Sequence, residues 1–250
     1  MKFGGAAVAS AEAFGAIAEL VAQRDGPVVV VVSAMGRMTD HLVGLAHRVN
    51  PQPPEREMDM LISVGERIST SLLAMALAKR GIGAVSFTGS QSGIITSAEH
   101  SEARIERVTP GRLMGPLDAG KVAIVAGFQG VSRDREITTL GRGGSDTTAV
   151  ALGVALGAEV VEFYKDVDGV YEMDPHRFPE AKLLSNMSFE HALALAKRAE
   201  HPFLHPRCIE LAKKNGLPLW VRSFRGVGEG TRIGERAAVD TIQFETCALI

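Results

Sequence analysis

With 250 residues and 46% hydrophobic content, the chain can bury a full core as one large α/β domain or two closely packed lobes, without a disulfide framework. Its two cysteines, Cys208 and Cys247, have no C-x-x-C spacing, which argues against a thiolate metal site and for a reducing, cytoplasmic setting. A net charge of -2 without a basic block and an aromatic content of 5% argue against a nucleic acid polymer as partner, and the most apolar run, Pro27 to Ala34, is too short to span a bilayer.

In chain order, a helix is predicted from Ser10 to Gln23, followed by a β-branched strand from Val28 to Val32, short enough to be buried on both faces. A long helix is predicted from Met58 to Arg80, with Leu61, Ile68, Leu72, Met75 and Ala76 at helical spacings and Gly81 as its stop. Later strands are expected at 83–87, 121–126, 159–164 and 217–221, separated by helices at 111–119, 145–156, 189–198 and 206–214. The stretches 50–56 and 128–144 read as irregular. Strand-helix alternation over the whole length predicts an α/β fold, an αβα sandwich with an open, mainly parallel sheet and ligands beyond the carboxyl ends of its strands. The expectation is one catalytic domain over 1–250, with a lobe at 1–127 recognising an acceptor and a lobe at 128–250 holding a nucleotide.

Chemistry-bearing residues fall at those strand ends. Lys2-Phe3-Gly4-Gly5 pairs a cation with two permissive glycines, a turn whose N–H groups can approach phosphate oxygens. Ser33 to Asp40, with Thr39, follows the valine strand and can line a ligand or cap the next helix. Glu66 stands inside an otherwise apolar helix and requires a cation, either an Arg or Lys of the chain or the ammonium of an amino acid. Gly141-Arg142-Gly143-Gly144-Ser145-Asp146 frees the backbone to form an anion nest at a capped helix N-terminus, and Arg142 can fork onto a carboxylate. Lys165-Asp166-Val167-Asp168-Gly169-Val170-Tyr171, then Asp174-Pro175, reads as a ligand loop, without the closing Glu of a calcium site. Arg222 to Arg225 supply one more cationic strand end. Gly115 to Lys121 imitates a P-loop, but Val122 replaces the required hydroxyl residue, and Pro202 and Pro206 separate His201 and His205 from a shared metal-binding helix face.

These motifs, together with Leu204-His205-Pro206, run in one order that resembles the catalytic domain of the aspartate kinase branch of the amino acid kinase family. The resemblance implies phosphorylation of the side-chain carboxylate of L-aspartate by ATP, the first step of lysine, threonine and methionine biosynthesis. It implies that Lys2, Gly4, Gly5 and Arg225 meet the ATP phosphates, that the loop with Lys165, Asp166, Gly169, Tyr171 and Asp174 cradles adenosine, and that Ser33 and Thr39 line the aspartate site. Glu66 would receive the substrate ammonium, Arg142 with Gly143 and Gly144 its α-carboxylate, and Asp146 would organise the centre beside the catalytic cations Lys2 and Arg225. Mg²⁺ would ride on phosphate oxygens, with no metal held by the protein alone. A homodimer is implied.

The sequence departs from the family pattern in three places. Ala6-Ala7 replaces a Thr-Ser pair, Lys165 stands where Thr or Ser is usual, and no ACT regulatory domains follow within the 250 residues, which leaves a separate regulatory subunit as an open partner. Two alternatives stand beside the main reading: a sister kinase acting on glutamate, acetylglutamate or UMP, and a catalytically weak homologue serving as a binding or regulatory subunit.

Overall fold

A computed structural model describes residues 1–173, 178, 180–225 and 228–234. The first half contains β1 (Lys2–Phe3), α1 (Ala13–Ala22), β2 (Val29–Val32), α2 (Met38–Val49), α3 (Glu55–Ile62), α4 (Val64–Lys79), β3 (Ala84–Phe87), β4 (Ile94–Thr96), β5 (Ile105–Val108), α5 (Gly111–Asp118) and β6 (Val122–Ala126). The second contains β7 (Gln129–Ser132), β8 (Ile137–Thr139), α6 (Gly144–Ala155), β9 (Val161–Lys165), β10 (Val170–Tyr171), β11 (Leu183–Leu184), β12 (Asn186–Met187), α7 (Phe189–Arg198), α8 (Pro206–Lys214), β13 (Leu219–Ser223) and β14 (Thr231–Ile233).

Among the described residues, eight strands form the main sheet in the order β12-β14-β13-β9-β1-β2-β6-β3, parallel throughout except where β14 runs against β13. Successive side chains of a strand face opposite ways, and the two cores divide accordingly. Val30, Val32, Ile124 and Phe3 meet Phe14, Ile17 and Val21 of α1 and Leu73 and Leu77 of α4. On the other face Val31, Val125 and Phe163 meet Val150 and Leu152 of α6 and Ile209 and Leu211 of α8. Burial on both faces explains the unbroken Val29–Val32 run, and the expected αβα sandwich is what forms. The phenyl ring of Phe3 stacks on Tyr164 of β9 at 4.6 Å between centroids.

Several elements differ from the sequence reading, and the stretch 50–56, read as irregular, already holds the start of α3. The helix expected from Met58 to Arg80 is two helices, α3 and α4, interrupted at Ser63. There Gln129 Nε2 donates to the Ser63 carbonyl at 2.6 Å, and the Ser63 hydroxyl donates to the Met60 carbonyl at 3.1 Å, so side chains take polar groups at the junction. Helix α2 was given no bounds in the sequence reading, although Met38, Leu42, Leu45, Ala46 and Val49 recur at helical spacing; none of its residues is fully buried. The stretch 128–144 holds the hairpin β7–β8, which joins β4 and β5 in a second, four-stranded sheet ordered β5-β4-β7-β8.

Among the described residues, one segment, Glu55–Lys79, passes a length and composition test for crossing a membrane. It is the broken α3–α4 pair, it packs on the sheet, and it carries the buried carboxylates Asp59 and Glu66.

Candidate active site

The site is built around β1. Its register, Phe3 opposite Val32 on one side and Tyr164 on the other, sets the turn after β1 level with Ser33 and Lys165. The turn is held by Ala7 N–H donating to the Gly4 carbonyl at 2.9 Å and Gly36 N–H donating to the Gly5 carbonyl at 3.1 Å. Thus the glycine turns after β1 and β2 lie against each other at the carboxyl edge of the sheet.

From the α6 side of the sheet, Asp146 in the first turn of that helix reaches this edge. Lys2 Nζ lies 2.6 Å from Asp146 Oδ1, and Lys165 Nζ lies 3.6 Å from Oδ2, with side-chain exposures of 5%, 21% and 10% for Lys2, Lys165 and Asp146. Burial pushes the Asp146 carboxyl up, but the neighbouring ammonium groups of Lys165 and Lys2 outweigh it and hold the group down at about 2. Burial lowers Lys2, a shift that Asp146 opposes. Asp146 therefore stays ionised between two cations.

Helix α6 starts at this place because Gly143, its N-cap residue, has φ 71°, and a Cβ there would lie 2.2 Å from His205 Cβ. Close approach of α8 to the glycine run depends on that missing atom. Arg207 in α8 donates to the Leu140 carbonyl at 2.7 Å and to the Ala103 carbonyl at 3.2 Å, fastening the chain just ahead of Gly141.

Glu66 enters from the first turn of α4. Its Oε1 accepts from Ala34 N–H at 3.1 Å, next to Ser33, while Oε2 is buried without a hydrogen-bond partner among the described residues. Burial raises its carboxyl to about 7, against the opposing pull of the backbone N–H groups and of Lys2. This is the carboxylate expected to require a cation, and Oε2 is the oxygen left without a hydrogen bond among the described residues.

The other sequence-predicted residues are distributed around this centre. Ser33 follows the last residue of β2, and Thr39 lies in the first turn of α2; both are half-buried, as are Gly4 and Gly5. Arg142 is exposed between Gly141 and Gly143, with no ion-pair or hydrogen-bond partner among the described residues; Gly144 opens α6. Asp166 is exposed just after β9, whereas Gly169 is buried against Thr231 and Tyr171 pairs with Leu183 across β10–β11. Asp174 lies outside the described residues. Arg225, exposed, follows Phe224, whose N–H donates to the Lys165 carbonyl at 2.9 Å, so it stands one strand end beyond Lys165.

Sequence reasoning missed Asp59. Fully buried on α3, it accepts from Ser101 N–H at 3.1 Å, from Thr139 N–H at 3.1 Å and from Thr139 Oγ1 at 2.6 Å, and lies 2.8 Å from His100 Nδ1. A carboxylate between Met58 and Met60 gave the same signal that singled out Glu66. The imitation P-loop ends α5 and leads into β6, and His205 caps α8 by accepting from Arg207 N–H at 3.3 Å. A surface cleft of about 750 Å³, lined in part by Gly157, Pro218 and Trp220, opens at the opposite ends of β9 and β13 from Lys165 and Ser223, away from the charged centre.

A glycine-rich parallel-sheet edge with paired lysines around a buried aspartate is accompanied by a match of residues 1–223 to the amino acid kinase family, and the chain belongs to that family. It is 48% identical to an aspartokinase of Mycolicibacterium smegmatis over 99% of this chain and 59% of that protein. Among solved structures it resembles the aspartate kinase from Synechocystis, with a TM-score of 0.82, 43% identity, and coverage of 95% of this chain and 40% of that one. It also resembles E. coli aspartokinase III in complex with aspartate and ADP, with a TM-score of 0.85, 26% identity, and coverage of 94% and 64%. The chain spans 59% of the length of the curated M. smegmatis relative.

Proposed function

We propose that this chain carries the catalytic unit of an aspartate kinase, moving the γ-phosphoryl group of ATP onto the side-chain carboxylate of L-aspartate to give 4-phospho-L-aspartate and ADP. The observation that carries the reading is the Lys2–Asp146–Lys165 cluster at the strand ends, with the half-satisfied carboxylate of Glu66 within the field of Lys2. The relatives named above agree with it in chemistry.

A carboxylate acceptor is ionised at neutral pH and needs no general base, so the obstacle is repulsion between two anions. Lys2, Arg225 and the backbone N–H groups of Gly4, Gly5 and Gly143 are proposed to offset the phosphate charge. Glu66 takes the ammonium of the acceptor and Arg142 its α-carboxylate, with Ser33 and Thr39 lining the space between. A free amino acid is favoured over an N-acylated one, which would leave Glu66 Oε2 buried and unpaired. Asp166, Gly169, Tyr171 and Asp174 belong to the loop assigned to the nucleoside. Both oxygens of Asp146 face ammonium groups, which fits Mg²⁺ held through phosphate oxygens and supplying further charge neutralisation when bound. On this reading the residues before Gly127 recognise mainly the acceptor and those after it mainly the nucleotide, in a cytoplasmic homodimer open to a separate regulatory subunit.

Purified protein incubated with ATP, L-aspartate and hydroxylamine should release ADP and accumulate aspartyl hydroxamate. No hydroxamate with aspartate, combined with turnover on glutamate, acetylglutamate or UMP, would transfer the chain to a sister activity; UMP yields no hydroxamate at all.

A further inference from the structure

Lys165 heads the loop assigned to adenosine, yet its ammonium lies elsewhere. As the last residue of β9 it is paired with Ser223 of β13 on one side and, following the Phe3–Tyr164 pair, stands beside the Gly4 turn on the other. From there Nζ turns to Asp146 Oδ2 at 3.6 Å, across the carboxylate from Lys2 Nζ at 2.6 Å from Oδ1. The two lysines do not share the carboxylate equally. Lys2 is 5% exposed and in direct ion-pair contact, whereas Lys165 is 21% exposed and stands off at the longer distance, so its donors remain available at the surface of the cluster.

Among the described residues Lys165 has only the shared carboxylate of Asp146 as an ion-pair partner, whereas Lys2 also lies in the field of Glu66. Among the described residues, the other titratable group coupled to this trio is Cys208 of α8, whose thiol burial keeps neutral; Glu66 acts on the Lys2 side. A half-enclosed cation with only a shared counter-ion is costly unless a further anion accompanies it. It stands between the Gly4–Gly5 turn and the end of β13, where the proposed activity places phosphate oxygens rather than a nucleoside.

We propose that Lys165 is a catalytic cation that contacts the triphosphate of ATP alongside Lys2, with Asp146 as the spacer holding the two ammonium groups apart. The inference rests on the kinase reading above and reassigns Lys165 from the nucleoside to the phosphates. In the transfer, an acceptor carboxylate oxygen bonds to the γ-phosphorus as the bond from that phosphorus to the β,γ-bridging oxygen breaks, the electron pair leaving with ADP. Lys165 donates hydrogen bonds to phosphate oxygens, stays protonated and moves no proton.

The test compares wild type with Lys165→Met, which keeps the stem and removes the charge, and with Lys165→Arg, which keeps the charge. Calorimetric titration uses a non-hydrolysable ATP analogue and, separately, adenosine. The expected result for Lys165→Met is roughly tenfold or greater weakening for the analogue with adenosine affinity unchanged, recovered to within about threefold in Lys165→Arg. In turnover, kcat should fall about 100-fold while the KM for aspartate stays within about threefold. Equal weakening for the analogue and adenosine would return Lys165 to the nucleoside. Unchanged analogue affinity with a lowered melting temperature would make it only a structural partner of Asp146, and either result overturns the proposal. The titrations need no acceptor, so if wild type forms no aspartyl hydroxamate the aspartate reading falls while the assignment of Lys165 is still decided.

Discussion

Asp59 binds Thr139 twice, taking its backbone N–H at 3.1 Å and its hydroxyl at 2.6 Å, and so ties helix α3 to the last residue of β8, two residues ahead of Gly141. The same carboxylate takes Ser101 N–H, and a Cβ placed on Gly141 would lie 3.1 Å from the Ser101 carbonyl. One buried side chain thus fixes both strands of backbone that flank the start of the glycine run.

Asp59→Ala should cost about 3 kcal/mol of stability, because the Thr139 and Ser101 donors are left buried without their acceptor. Thermal unfolding measures the loss. The KM for aspartate should rise in the same variant, since the run carrying Arg142 loses its anchor; an unchanged KM at a lowered melting temperature would confine Asp59 to the scaffold.

Lys2→Ala should abolish phosphoryl transfer, by at least about 1000-fold in hydroxamate yield, while the protein remains folded. Asp146 keeps Lys165 as a partner, which limits the penalty of leaving a buried carboxylate alone. Circular dichroism checks the fold, and near-normal turnover would remove Lys2 from the mechanism.

Glu66 makes the protein sensitive to pH near neutrality. Its folded-state value of about 7 lies above the ordinary 4.5, so ionisation opposes folding: the penalty is absent below pH 4.5, grows as pH rises, and is complete above pH 7, at roughly 3 kcal/mol. Glu66→Gln should therefore raise the melting temperature of the ligand-free protein at pH 8 and leave it nearly unchanged at pH 4. Substrate affinity should run the other way. An ammonium needs the ionised carboxylate, so the KM for aspartate should fall as pH climbs from 6 to 8, and the Gln variant should show a high, flat KM across that range.

Arg142→Ala should raise the KM for aspartate about 10- to 100-fold with a much smaller change in kcat, as expected for a contact made equally in the ground and transition states. The side chain is exposed and has no partner among the described residues, so stability should stay within about 0.5 kcal/mol. Steady-state kinetics with varied aspartate decide it, and an unaltered KM would count against the assignment.

The parts of this architecture that were readable from sequence are those governed by local pattern. The Val29–Val32 run announced a strand buried on both faces, and the glycines around Arg142 announced the start of α6. Glu66 stood out because a charge in an apolar helix is conspicuous. Asp59 gave the same signal but sits at the expected beginning of that helix, where an acidic residue is an ordinary complement to the helix dipole. The second sheet was hidden because its pairings, such as Ile95 with Val131, join short strands far apart in the chain. The break at Ser63 was hidden for a related reason, since the Ser63 carbonyl is taken by Gln129, distant in the chain. Lys165 could be placed beside a ligand, but its position across Asp146 from Lys2 follows from the β9–β1 register.

Strand β1 contributes only Lys2 and Phe3 to the sheet, and they face opposite layers. A slip of a single residue against its neighbours would exchange them, sending an aromatic ring toward Asp146 and an ammonium into the hydrocarbon packed under α1. The Phe3–Tyr164 stack on the far side of the sheet thus belongs to the same two-residue register that sets the cation in place, and inert hydrocarbon shares in the placement of charge.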